Sequence, residues 1–357
     1  MTRKIVVLQS FPVPRPTTNP YLVMLGNSLA EQPGVRVVSF GWLTALAGRF
    51  DVFHLHWPEA LFDGRNRLTE FAHRIFFLAL LVKLRLFGIP VVRTVHNLEL
   101  PSGISRFDRW LLELAGRQAT MLITLNSSTP VPPGRPSVMI PHGHYRPWFS
   151  SIAQPESIAG RFGFFGFIRR YKGVEGLISA FCEIPTDPGV DVGLHVAGKP
   201  STQELRASLT ALATGDDRIE LDLRFVDDTD LVAIAGRSEL VVLPYLDMHN
   251  SAGALTALSL DRPVLVPDND VNHRLSDEVG PGWVFTYQGR LTGDVLVGTL
   301  EKLRVIERAR RPNMDGRNWD SAGADHVRAY REAVSLISEA RHTGWRWRTA
   351  RRRDSAG

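Results

Sequence analysis

Short apolar runs alternate with stretches of helical spacing along the whole chain. Ile5–Leu8, Val35–Ser39, Asp51–His56, Val91–Val95, Met121–Thr124 and Val138–Ile140 read as strands. Tyr21–Glu31, Arg67–Phe87 and Phe107–Ala115 read as the helices between them. The pattern repeats with strands near Phe162–Phe167, Gly193–Val196, Glu220–Phe225, Leu240–Leu243, Val264–Val266 and Trp283–Phe285. Helices are expected near Val174–Phe181, Thr202–Ala213, Asp228–Ala235 and Ala252–Leu260, with Thr292–Arg308 and Ala322–Ala340 as closing helices. Strands this apolar, alternating with helices, predict an α/β fold of doubly wound parallel sheets covered on both faces. Arg146 to Gly160 is polar, contains proline and lacks periodicity, so it is the expected linker. It divides an N-terminal domain, 1–150, from a C-terminal domain, 151–340, with ligands expected in a central cleft at the carboxyl ends of both sheets.

Charge changes the picture only at one end. The net charge of +5 is carried entirely by residues 341–357, which hold six arginines and one aspartate and are expected to be a disordered basic tail. Its arginines interleave with Trp345 and Trp347, which also suits an anionic membrane surface. The neutral body has neither zinc-finger spacing nor an RNA-binding aromatic motif, so no nucleic-acid partner is expected. The single cysteine, Cys182, rules out an internal disulfide and reads as a buried structural thiol. Met1 to Lys4 leads straight into a strand without a signal peptide, and Ile75–Val82 is too short to span a bilayer. A cytoplasmic protein, at most peripheral on the inner membrane face, is expected. The apolar helix Arg67–Phe87 is read as a core helix, with the alternative that Arg74, Lys83 and Arg85 lie on the inner leaflet.

Candidate chemistry collects at strand ends. After the apolar run RFGFFGF come Arg169, Arg170, Lys172 and Gly173, and then a helix start. Cations and free helix amides converging there suit a diphosphate. A second such place follows the strand LVVLP, where Tyr245 precedes Ser251, Ala252 and Gly253 at another helix start. Lys199, after LHVAG, is a third element at the same sheet edge. Asp268-Asn269-Asp270 is read as a plain turn or ligand-proximal loop. No metal site is expected, because the acidic and histidine groups are scattered over separate loops.

The first half presents a different set. Asn19 and Tyr21 open a helix, His56, Trp57 and Glu59 follow DVFHLH, His96, Asn97 and Glu99 follow VVRTV, and His142 and His144 close the domain. An acceptor hydroxyl needs a base, a hydrogen-bonding partner and an aromatic surface for a sugar face. Glu59 leads as base, with His96 and Glu99 as rivals.

FGFFGFIRRYKGVEGLISAF, LHVAGKP and ELVVLPYLDMHNSAGALTALSLDRPVLVP resemble the donor-site motifs of GT-B glycosyltransferases. NPYLVMLGNSLAEQPGVRV, FHLHWPEAL, VVRTVHNLELP and IPHGHY resemble acceptor-side motifs of a bacterial subset that includes GDP-mannose:glycolipid β-mannosyltransferases of exopolysaccharide synthesis. The resemblance runs to about Tyr330. It implies two Rossmann-like domains facing a cleft, and transfer of a hexose, mannose from GDP-mannose by preference, onto a lipid-linked or saccharide acceptor. It implies no cofactor beyond the nucleotide-sugar co-substrate and no obligatory metal. Many retaining members carry two glutamates eight positions apart around the donor helix; here Met248 and Thr256 stand there, which favours inversion. A UDP-sugar donor and a non-catalytic glycan-binding role with a decayed transferase fold are the alternatives. A nicotinamide dehydrogenase is disfavoured, since no G-x-G-x-x-G follows a strand.

Overall fold

The structure is a computed structural model that describes residues 3–354 apart from 16, 101–102, 187–190, 247–248 and 250–251, with side chains described as far as Arg341. In chain order the first half contains β1 (Ile5–Gln9), α1 (Pro20–Glu31), β2 (Val35–Val38), α2 (Trp42–Ala47), β3 (Val52–Leu55), α3 (Arg67–Phe87), β4 (Val91–Val95), α4 (Arg106–Gln118), β5 (Ala119–Thr124) and β6 (Ser137–Met139). The second half contains α5 (Arg146–Phe149), β7 (Arg161–Phe165), α6 (Val174–Cys182), β8 (Gly193–Ala197), α7 (Gln203–Ala213), β9 (Ile219–Asp222), α8 (Asp228–Arg237) and β10 (Leu240–Val242). It continues with α9 (Ala252–Ser259), β11 (Val264–Pro267), α10 (Asp270–Val279), β12 (Val284–Tyr287) and α11 (Gly293–Val305), before α12 (Trp319–Asp354). Two six-stranded sheets result, ordered β2-β1-β3-β4-β5-β6 and β12-β11-β10-β7-β8-β9. Every neighbouring pair is parallel, as the apolar strands predicted.

The chain forms two compact units, Met1–Gly143 with Arg317–Gly357, and His144–Gly316. This corrects the expected division. The closing helix, assigned from the sequence to the second domain, belongs to unit 1, where it packs on α1. Ala322, Val327, Ala329, Tyr330 and Ala333 form its buried stripe. Gly323 lets the two helices touch, since a Cβ there would collide with the Ser28 hydroxyl, which itself donates to the Trp319 carbonyl at 2.5 Å. Helical spacing reveals a buried stripe but not which sheet covers it. The tail, expected to be disordered from residue 341, continues α12 as far as Asp354. The expected linker also has structure. α5 opens it, and Arg146 reaches Asp261 at 3.3 Å and the Pro312 carbonyl at 2.8 Å, tying it to unit 2.

In unit 1, α3 buries Phe77, Leu80, Leu81 and Leu84 against Phe53 and Leu55 of β3 and Leu111, Leu112 and Ala115 of α4. Side chains of this size each contribute about 1.5–3 kcal/mol on full burial, so the inner face suffices to hold the helix. Its opposite face remains apolar and outward: Leu68, Phe71, Ile75, Val82 and Leu86 recur at helical spacing, with Leu68 82% and Leu86 75% exposed. On α4, Phe107 and Trp110 stack at 5.8 Å and are also exposed. Arg74 and Lys83 are engaged inward, contrary to the leaflet alternative. Arg74 pairs with Asp108 at 2.5 Å, and Lys83 donates to the Ala45 and Gly48 carbonyls at 2.8 and 2.7 Å. Cys182, expected to be buried, ends α6 exposed.

Candidate active site

In a doubly wound sheet a crevice opens where consecutive connections diverge. In unit 2 that point lies between β7 and β10, because the chain proceeds from β7 outward through β8 and from β10 outward through β11. Gly166 and Gly173 hold φ of +110° and +65°, and Gly198 meets the Gly166 carbonyl so closely that a Cβ would collide with it. A Cβ at Gly173 would likewise strike the Pro244 carbonyl. Backbone therefore packs on backbone, and Leu246 N–H donates to the Tyr171 carbonyl at 2.8 Å, joining the loops that follow the two strands. Only glycine fits the left-handed, crowded position at 173.

Lys172 leaves this loop with its Nζ 5.2 Å from the centre of the Tyr245 ring. Burial, aided by Arg169, pulls its ammonium down to about 8, so near pH 7 it is a charged group poised to gain from an anion. Burial pushes the Tyr245 phenol up. Gly173 starts α6 without a side-chain cap. At α9, Ala252 is exposed, and a Cβ on Gly253 would stand 3.0 Å from the Tyr245 hydroxyl. Ser251 and Met248 lie outside the described residues, and Thr256 is buried in α9. Lys172, Gly173, Tyr245 and Gly253 thus come together as expected. The remaining cations point outward: Arg169 lies over the Phe167 ring at 5.2 Å, Arg170 pairs with Glu175 at 3.5 Å, and both are exposed. Lys199 is exposed, while its carbonyl accepts from Ile168 N–H at 3.0 Å. Asn269 caps α10 by accepting from Asn272 N–H at 2.9 Å, so Asp268-Asn269-Asp270 is a helix start.

In unit 1 the corresponding point lies between β1 and β3. A pocket beside it is lined by His56, Trp57, Glu59, Arg93, Thr94, His96, Asn97 and Glu99 among others, which gathers all three candidate bases. Trp57 stacks on His96 with ring centres 3.8 Å apart and planes 20° from parallel. Tyr21 meets His96 edge-on at 5.2 Å and His142 at 4.6 Å. Burial holds His56 down to about 3 and His142 to about 4, and drives His96 well below its ordinary value, so these rings are neutral. Burial raises the Glu59 carboxyl, with Arg93 opposing and Asp63 reinforcing the shift. A half-buried carboxylate of raised affinity for protons suits a general base better than Glu99, which is exposed. Asn19 is spent as the cap of α1, accepting from Tyr21 N–H at 3.0 Å. Gly143 touches the Trp319 ring too closely for any Cβ, and His144 belongs to unit 2.

Sequence reading missed Gln9, His54, Arg93, Thr94 and Tyr330. Gln9 accepts from His56, Arg93 lines the pocket with its Nε buried and unpaired, and Tyr330 reaches His54 from α12. One signal was present: His54 and His56 are two apart in DVFHLH, which reads as a strand, and alternation would put them on one face.

No protein-family model matches the chain. Over 337 residues it is 39% identical to a GDP-mannose:glycolipid 4-β-D-mannosyltransferase of Xanthomonas campestris pv. campestris, which covers 94% of this chain and 95% of that protein. Among solved structures, sucrose-phosphate synthase from Thermosynechococcus elongatus superposes with a TM-score of 0.57 at 14% identity, over 98% of this chain and 100% of that one. HepE of Anabaena in complex with UDP and glucose gives 0.56 at 14% identity, over 95% and 99%. The two structural likenesses establish the fold, which is GT-B.

Proposed function

The chain belongs to the family of GDP-mannose:glycolipid 4-β-D-mannosyltransferases and is a glycosyltransferase; on that premise we propose that it moves mannose from GDP-mannose onto a hydroxyl of a lipid-linked saccharide, with inversion at C1. The observation that carries the proposal is Lys172, a half-buried cation at the switch point of unit 2, backed by uncapped helix amides. A leaving diphosphate gains negative charge as the C1–O bond breaks, and a fixed, partly desolvated cation stabilises that charge more than it stabilises the ground state. In this reading Lys172 and the starts of α6 and α9 supply the positive field, without a bound metal.

The acceptor hydroxyl attacks C1 from the face opposite the diphosphate, and Glu59 removes its proton. Trp57, stacked on His96, offers an apolar face for a sugar ring, and Asn97 offers polar contacts at the rim. Two of the donor-side cations, Arg169 and Arg170, are rim charges in this proposal, not groups on the reacting phosphates. Incubation of the purified protein with lipid acceptor and GDP-mannose, UDP-glucose or UDP-mannose tests the donor, and the anomeric coupling of the product tests inversion. Turnover with a UDP-sugar alone would sink the guanine assignment, and an α-linked product the inversion.

The outward ridge of α3 fits the same reading. Among the described residues no helix is long and apolar enough to cross a membrane. Leu68 to Leu86 spans about 27 Å at 1.5 Å per residue; exposed Arg65, Arg67 and Arg85 adjoin it in sequence, and exposed Arg106 and Arg109 adjoin the Phe107–Trp110 pair. An exposed apolar strip with arginines beside it in sequence suits the interface of an anionic bilayer, where it would bring the acceptor's lipid to the protein. Co-sedimentation with phosphatidylglycerol vesicles is expected for the wild type and is expected to fall at least about tenfold for Phe71→Ser/Leu86→Ser. Equal binding by both proteins would remove this part of the proposal.

A further inference from the structure

Beneath the pocket of unit 1 lies a line of buried polar groups drawn from distant parts of the chain. Gln9 ends β1, His54 belongs to β3 and His56 follows it, Thr94 belongs to β4 and His96 follows it, and Tyr330 arrives on α12. All six are at most 9% exposed. His96 Nε2 stands 3.3 Å from His56 Nδ1, and His56 Nε2 stands 3.2 Å from Gln9 Oε1. The Gln9 amide donates to the Tyr330 hydroxyl at 3.4 Å, Tyr330 meets His54 Nδ1 at 2.7 Å, and His54 Nε2 meets Thr94 Oγ1 at 2.9 Å.

With the Gln9 amide oriented as the structure has it and each ring neutral, counting hydrogens sets the direction of each bond. The Tyr330 hydroxyl accepts from Gln9, so its one hydrogen goes to His54 Nδ1. His54 must then carry its own proton on Nε2, which donates to Thr94. Because the Gln9 NH2 group is turned toward Tyr330, its Oε1 faces His56 and requires an Nε2–H there. His56 Nδ1 is therefore a lone pair, and His96 donates to it from Nε2. The donors run one way from His96 to Thr94, with each ring holding a single proton. Burial keeps His54, His56 and His96 in that neutral form.

We infer that Tyr330 is a positioning residue for the pocket: acting through Gln9 and His56, it dictates which nitrogen of His96 bears the proton and how that ring lies under Trp57. The inference rests on reading this pocket as the acceptor side. With Nε2–H committed to His56, Nδ1 is the accepting nitrogen of the His96 ring. Loss of the Tyr330 hydroxyl leaves the Gln9 NH2 without its acceptor. The amide is then free to turn over and present NH2 to His56, which moves the His56 proton to Nδ1 and reverses the bond to His96.

Tyr330→Phe keeps the ring and its packing and removes only the hydroxyl. Long-range proton–nitrogen spectra of the full-length, histidine-labelled protein, taken without substrate, report the proton's position on each ring. The wild type is expected to show Nε2–H at His54, His56 and His96, and Tyr330→Phe to show Nδ1–H or a mixture at His56. In transfer assays kcat is expected to fall about tenfold, with the donor KM within about twofold. The acid limb of the rate profile is expected to move to higher pH, because a donor to the neutral His54 ring has been lost. Gln9→Met breaks the same line without touching α12 and serves if Tyr330→Phe fails to fold. The two substitutions combined are expected to cost no more than either alone. Unchanged tautomers in both variants would overturn the positioning role. Tautomers that shift while kcat stays put would overturn the reading of the pocket instead, and with it Tyr330's part in the reaction.

Discussion

In unit 2 the crevice is made of backbone: three glycines let loops from neighbouring strands lie against each other, and one lysine supplies the charge. In unit 1 the pocket is made of side chains: stacked rings and neutral histidines close over a line of hydrogen bonds with no formal charge in it. On the proposed function, the difference follows from what each would hold. A diphosphate is a compact anion that amides and a cation recognise in almost any orientation. A sugar hydroxyl is one of several like it, and choosing among them takes shaped walls and directed donors and acceptors.

Removing the charge from the crevice is the harshest test of this contrast. Lys172→Ala is expected to lower kcat by at least about a hundredfold while leaving the melting temperature near that of the wild type. Near-normal turnover would show that backbone amides alone hold the anion. The same lysine predicts the basic side of the pH profile. Because its ammonium is held down to about 8, kcat/KM is expected to decline as the pH rises through that value, and Lys172→Arg to abolish the decline.

A gentler test addresses the neutral histidines of the pocket. His56, His142 and His326 are held at about 3, 4 and 4, below the 6.5 of an unfolded chain. The unfolded form therefore binds more protons across that window, so stability is complete above pH 6.5 and is lost as the pH falls toward 4. Thermal melts are expected to drop by at least about 5 °C between pH 6.5 and 4.5, in line with a few kcal/mol lost from a chain of this size. A flat melting temperature there would mean that the rings are not held neutral.

The contrast also explains what could be read from the chain. The crevice loops are local: RFGFFGFIRRYKG names a strand, a turn and a helix start in thirteen consecutive residues, LVVLPYLDMHNSAG names a second, and the structure joins Lys172 and Gly173 of the first to Tyr245 and Gly253 of the other. Which cation turned inward was not legible, because Arg169 and Arg170 differ from Lys172 only in loop geometry. The pocket is non-local. His56, Trp57, Glu59 and His96 stood out as strand-end groups, whereas Gln9 and Tyr330 looked like any strand-end amide and any helical tyrosine. Their pairing depends on α12 returning to the first sheet, and amphipathic spacing is silent about partners. The same gap put the domain border in the wrong place. Parallel order within each half, by contrast, followed directly from strands too apolar to face water.

The path of α12 carries one more consequence. The chain leaves unit 1 at Gly143 and re-enters it at Arg317, with all of unit 2 in between. On a ribosome that order is also a schedule. Unit 2 emerges whole before the helix that covers α1 has been made. Premature termination after the second sheet would leave unit 1 without the helix that packs on α1 and without Tyr330, which reaches His54 from it.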